Sequence, residues 1–248
     1  MKTRTHVLKP LFGLCITAMI LSCNSSSTSE TAATDSSTAM ADTTAATTAP
    51  ATPATPFDVV EIIHTVKDYD KWKTAFDADS AARQQSGLSF VAVGKDADNP
   101  NKVEVVLMAS DMAKAKAFAT DARLKTAMTN AGVTGKPEMD YWHVIRYNAA
   151  NDNTTNPWIQ VTHKVKNFDA WAKVFDGEGP SARAAYGLSD VALARGVDDS
   201  NLVHIVFAVT DMNKAKARMK DPALKKLMTS AGVIGAPKIE FFNDAAMK

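Results

Sequence analysis

The chain writes one pattern twice. VKDYDKWKTAFD, starting at Val66, returns as VKNFDAWAKVFD at Val165. SDMAKAKAF at Ser110 returns as TDMNKAKAR at Thr210, and MTNAGVTGKP at Met128 as MTSAGVIGAP at Met228. The spacing of 99 to 100 residues is far beyond the roughly 20–50 residues of solenoid repeats and matches a complete small domain. One domain duplicated in tandem is therefore expected, repeat 1 over residues 57–148 and repeat 2 over 157–248. The polar, turn-rich segment Asn148–Asn156 connects them.

Each repeat reads β-α-β-β-α-β, the ferredoxin-like or split βαβ order. In repeat 1, Val59–Val66 is rich in β-branched residues and predicts a strand. Asp68 is placed to cap a helix that carries Trp72, Ala75 and Phe76 at helical spacing to Gln85, with Gly87 closing it. Ser89–Gly94 and Val103–Ala109 predict two further strands, a helical stretch follows from Asp111 to Asn130, and Glu138–Tyr147 predicts the last strand. Repeat 2 predicts Trp158–Val165, Phe168–Tyr186, Asp190–Arg195, Leu202–Thr210, Asp211–Ser230 and Lys238–Asn243. It differs by Gly177-Glu178-Gly179-Pro180 inside its first helix, where two Gly and a Pro should break the helix.

The third strand shows what each sheet must cover. Val103, Val105 and Leu107 share one face, which suits a helix layer; Glu104, Val106 and Met108 share the other. That second face is mostly apolar, so a lone repeat would expose it, and burial against the twin is the better solution. The fold class expected is α+β: two tandem ferredoxin-like units packed sheet to sheet as an intramolecular α/β barrel.

The first 56 residues carry no such pattern. Lys2, Arg4 and Lys9 precede a 12-residue apolar run, Pro10–Leu21. A membrane-spanning helix needs about 20 residues, so residues 1–22 suit a signal peptide instead. Ile20-Leu21-Ser22-Cys23 resembles the lipobox of bacterial lipoproteins, which implies lipidation at Cys23, a membrane partner and a place in the cell envelope. Asn24 follows where an Asp would signal inner-membrane retention, which favours the outer membrane. Residues 23–56 form the expected tether: of the 33 residues from Asn24 to Pro56, 25 are Ser, Thr or Ala. Such a segment buries too little apolar surface to offset its ordering entropy, and it reaches about 30 Å. Of the two cysteines, Cys15 falls in the signal and Cys23 carries lipid, so no disulfide is expected in the mature chain. Removal of three cations from 28 leaves 25 against 27 acids, a mature net charge of −2. No nucleic-acid partner is expected from that balance.

The paired Trp and Phe in helix one, the Arg and Gly-Leu at its end and the Ala-Gly-Val turn after helix two resemble the dimeric α/β-barrel superfamily, whose best-known members are antibiotic-biosynthesis monooxygenase-like domains. The resemblance covers residues 57–148 and 157–244. In that family two chains pair their sheets around a lumen; here one chain supplies both halves as a pseudo-dimer. Haem-degrading relatives use a histidine from helix two, and residues 111–130 and 211–230 contain none.

Candidate site residues fall into two groups. His64 and His163 occupy the same position in strand one of each repeat, either as paired ligand-contacting or acid–base imidazoles or as buried structural histidines. Arg83 and Arg183 end helix one, where a guanidinium either anchors an anion or complements the helix dipole. The second group is where the repeats disagree: Glu104 against His204, Trp142 against Phe242, Glu61 against Gln160. Two diverged copies can build one asymmetric pocket from such positions. No metal is expected, since HxxxH and CxxC spacings are missing, and no cofactor, since dinucleotide and phosphate-loop fingerprints are missing too. Two functions remain: a barrel that binds a small apolar or anionic molecule or serves as an envelope accessory, and a cofactor-free oxygenase- or isomerase-like enzyme with His64 or His163 as base. An enclosed lumen of about 300 Å³ or more holding a histidine favours a ligand site; a lumen packed solid favours a structural role.

Overall fold

The computed structural model describes residues 55–152 and 157–244. Cys23, the signal segment and nearly all of the tether lie outside them.

Repeat 1 forms β1 (Phe57–Val66), α1 (Tyr69–Ala78), α2 (Ser80–Gln85), β2 (Leu88–Asp96), β3 (Lys102–Ala109), α3 (Met112–Ala119), α4 (Ala122–Asn130) and β4 (Val133–Tyr147). Repeat 2 forms β5 (Trp158–Val165), α5 (Phe168–Ala185), β6 (Leu188–Gly196), β7 (Leu202–Val209), α6 (Met212–Met219), α7 (Pro222–Ser230) and β8 (Val233–Asp244). The caps follow from sequence: Asp68, Asp111 and Asp121, and Asn167, Asp211 and Asp221 in repeat 2, each accept a backbone N–H of the first turn.

The expected single first helix of repeat 1 is in fact two, broken at Asp79. Repeat 2 breaks at the equivalent point, where Gly179 takes φ 77°, ψ 156°. The extra residue of repeat 2 is absorbed there, in a conformation open essentially to glycine alone. The last strands also begin earlier than expected. Gly135 and Gly235, at φ 72° and 74°, carry the chain through a bulge, so segments that read as turns from their Gly and Pro pair with the ends of β1 and β5.

All strand pairings are antiparallel, and the order closes on itself: β1-β3-β2-β8-β5-β7-β6-β4 and back to β1. Within each repeat the order is 4-1-3-2, and the two sheets join by β4 against β6 and β8 against β2. The last strand of each repeat thus adds to the other repeat's sheet, and closure leaves no open edge at either seam. Cations on α3 and α6 reach across. Lys116 Nζ meets Asp198 at 2.5 Å and Lys216 Nζ meets Asp98 at 3.9 Å, each on the other repeat's β-turn. These are exposed pairs, which contribute little to stability.

Each sheet packs its outer face under its own helices. Trp72, Val103, Val105 and Leu107 belong to one core, Trp171, Val203, Ile205 and Phe207 to its twin. The inner faces surround the lumen. An eight-stranded barrel is just wide enough to be filled by side chains or to hold one small ligand. Among the described residues no helix is long and apolar enough to cross a membrane.

Candidate functional site

The inner face is only partly filled. A cavity of about 390 Å³ occupies the lumen. It opens at the end where β1 and β5 start and β4 finishes, by Phe57, Tyr147, Asp152 and Asp244. At the other end a chain of ion pairs links the repeats: Lys102 to Asp96 and Glu240 (3.2 and 2.7 Å), and Lys238 to Glu138 and Glu240 (2.6 and 3.1 Å).

The deep part is polar, and each polar group arrives on a different strand. Alternation puts Glu61 of β1 and Glu104 of β3 inward, together with Trp142 of β4, Gln160 of β5 and His204 of β7. Trp142 Nε1 donates to Glu61 Oε2 at 2.7 Å, and Trp158 Nε1 to Glu104 Oε2 at 2.9 Å. Gln160 Nε2 donates to the other oxygen of Glu104. The His204 ring lies 4.6 Å from Trp142 at an interplanar angle of 19°, and its Nδ1 is hydrogen-bonded to Thr162 Oγ1 at 2.8 Å. Repeat 1 thus supplies two carboxyls, and repeat 2 supplies an amide and an imidazole at the matching places.

Glu104 is 0 % exposed. Burial above all, then the charge of Glu61 and a hydrogen bond between the two carboxyls, push its proton affinity well above the usual carboxylate range. Bonds from Gln160 and Trp158 oppose this without prevailing. Glu104 therefore gives up its proton less readily than an exposed carboxyl. Asp140, cross-strand from Glu61, is raised too, first by burial and then by Glu61. Two buried acceptor atoms on the lumen wall have no hydrogen-bond partner: Glu61 Oε1 and Gln160 Oε1.

Glu104, His204 and Trp142, singled out where the repeats disagree, all line this lumen, as do Glu61 and Gln160. Sequence reasoning did not single out Trp158, although it too is a disagreement, standing where repeat 1 has Val59. Nor did it mark Gly94: a Cβ there would fall 2.4 Å from the Trp158 ring, so only glycine lets that indole cross the β2–β8 seam.

His64 and His163 lie elsewhere. They sit on the opposite face of β1 and β5, their rings 5.2 and 5.4 Å from Trp72 and Trp171. Both ring nitrogens of each are buried without a hydrogen-bond partner, and burial pushes each pKa down to about 4. They border two cavities between sheet and helices, about 430 and 620 Å³. Neither reaches the lumen, so the expected lumen base is not one of them.

Arg83 and Arg183 share that helix side. Nη1 of Arg83 donates to the Phe76 carbonyl at 2.6 Å, and Nη1 of Arg183 to the Phe175 carbonyl at 2.8 Å. Each guanidinium covers the same Phe ring, at 3.7 and 4.0 Å. These carbonyls belong to the turn before the helix break, and the arginines add a hydrogen bond to each; the Phe76 carbonyl also accepts the Asp79 N–H at 3.2 Å. Arg183 also holds Asp190 through two nitrogens. Among the described residues no three His, Cys, Asp or Glu come together to hold a metal.

No protein-family model and no curated protein matches the chain. Solved structures match it in fold. An anthrone oxidase-like protein, 12% identical, aligns over 77% of this chain and 92% of its own with a TM-score of 0.52. A proposed monooxygenase of Fusobacterium nucleatum, 13% identical, aligns over 78% and 94% with a TM-score of 0.50. At such identities the likeness is one of architecture. The chain folds as two ferredoxin-like units closed into one α/β barrel within a single polypeptide. Its repeats are nearly alike in the helix-side core and unlike in the lumen.

Proposed function

We propose that this protein is an envelope lipoprotein, anchored through Cys23, whose barrel lumen binds one small, partly apolar molecule. The observation that carries the reading is the cavity of about 390 Å³ with the buried Glu61–Glu104 pair on its wall. Its size lies in the range of small-ligand sites, about 300–1,000 Å³. A barrel selected only for stability has no use for two adjacent buried carboxyls, since desolvating charge costs several kcal/mol unless it is repaid by partners. A histidine, His204, stands on the lumen wall, which supports a ligand site.

A second reading is a cofactor-free oxygenase- or isomerase-like enzyme, and the pairing of Glu104 with Glu61 favours it. Glu104, whose proton affinity is raised by burial and by Glu61, stands beside a second carboxyl with an unpartnered oxygen, an arrangement that general acid–base chemistry can use. Glu61 would take the proton that the sequence alone assigned to His64 or His163. The oxidase-like and monooxygenase names of the two solved structures agree with this chemistry, though only their fold is shared.

Mass spectrometry of small molecules carried by the purified full chain tests the binding reading. A molecule recovered from the wild type and lost from Ala194→Phe, which fills the lumen, is the expected result. Nothing recovered from either protein counts against a bound ligand. The anchor has its own check: Cys23→Ala is expected to move the chain out of the membrane fraction.

A further inference from the structure

The lumen has a sign. Four carboxylic side chains line it, Glu61 and Glu104 deep and Asp152 and Asp244 at the mouth, while no Lys or Arg lines it among the described residues. The lysines at the closed end are engaged in ion pairs with Asp96, Glu138 and Glu240. Tyr147 already donates to Asp152, and burial first, then the charge of Asp152, push Asp244 upward. In a cleft with low-dielectric walls such charges focus their field on whatever enters. The two deep atoms without partners, Glu61 Oε1 and Gln160 Oε1, are both acceptors, on residues 4% and 3% exposed. A buried acceptor left unpaired is costly, so the wall calls for donors. The rest is apolar, with the indoles of Trp142 and Trp158 and Val59, Val106 and Val206 around them.

Resting on the lumen-binding reading above, we propose that the ligand class is a small flat organic cation, a protonated amine or amidine on an apolar body, whose N–H groups donate to Glu61 and Gln160. The charge balance is simple. A bound cation takes the place of the proton that the two carboxyls share, and the indole faces attract it as well. The same field opposes an anion, the alternative that the sequence left open through Arg83 and Arg183, which the structure places outside the lumen.

Three probes of one shape separate charge from fit: benzamidine (cation), benzamide (neutral) and benzoate (anion), titrated into the full chain by calorimetry with tryptophan fluorescence alongside. Benzamidine is expected to bind at least about tenfold tighter than benzamide, with benzoate weakest. Glu61→Gln should bring benzamidine to the benzamide level and leave benzamide within about threefold. Should Glu61→Gln fail to fold, Asp244→Asn at the mouth is expected to weaken benzamidine selectively, by about threefold, since its charge is more distant. Equal binding of benzamidine and benzamide, or a preference for benzoate, overturns the cation inference. Binding of neutral indole without any of the three does the same and leaves the lumen-binding reading standing. Failure of indole as well overturns both.

Discussion

At the residue scale, two kinds of buried ionisable group pull stability in opposite directions with pH. His64 and His163 are held neutral, with pKa lowered from 6.5 to about 4. Unfolded, they bind protons below about pH 6.5 while the fold resists, so their contribution is present above that pH and is lost as pH falls towards 4. The difference is worth about 3 kcal/mol each. Glu104 has the opposite sign. Its folded proton affinity is raised, so its contribution is present below the unfolded pKa, about 4.3, and declines as pH rises through the folded value. Thermal melts should therefore carry two opposed slopes, one rising with pH between about 4 and about 6.5 from the histidines and one falling with pH above about 4.3 from Glu104. Glu104→Gln, which cannot ionise, should remove the falling component; His64→Leu with His163→Leu should remove the rising one. An unchanged slope in either variant removes that group from the account.

At the element scale, the decisive feature is the break in the first helix of each repeat. Helical spacing from Trp72 to Ala82 gave no sign of it in repeat 1, because the residue at the break, Asp79, is not a breaker. Repeat 2 announced it with Gly179-Pro180. The arginines, read as anion anchors or dipole partners, turn out to serve the carbonyls at that break, a role visible only once the break is known. Gly179 gives a clean test. An added Cβ meets no atom within 4 Å, so any loss on Gly179→Ala comes from the backbone at φ 77°. Destabilisation of about 1–3 kcal/mol by urea unfolding is expected, with lumen ligand binding unchanged. No loss would mean that the helix can straighten.

At the scale of the whole molecule, each repeat lends its last strand to the other's sheet. A chain cut to residues 57–152 would expose its half of the lumen and leave β2 and β4 unpaired on one side. It is expected to dimerise through the same seams or aggregate, with the mass read by light scattering. A folded monomer would show that the seams are dispensable. A dimer of repeat 1 would also place Glu61 and Glu104 on both sides of the lumen without Gln160 or His204, which identifies the second repeat as the source of the asymmetry.

The sequence by itself determined the duplication, the βαββαβ order, the helix caps and, for the third strand, which face meets the helices. These depend on local capping, side-chain period and a pattern that is repeated in the chain. It also pointed to Glu104, His204 and Trp142, because positions where duplicated halves disagree are freed from the shared task of folding. Only the tertiary structure decided that His64 and His163 belong to the helix-side cores. One face of a strand looks like the other in sequence when both are apolar, and closure of the barrel alone tells inside from outside. The meeting of Glu61 with Glu104, and of both with Trp142, Trp158 and Gln160, likewise waited on the tertiary structure. These groups come from four strands, three of them in repeat 1 and one in repeat 2, and no sequence spacing encodes the seam that brings them together.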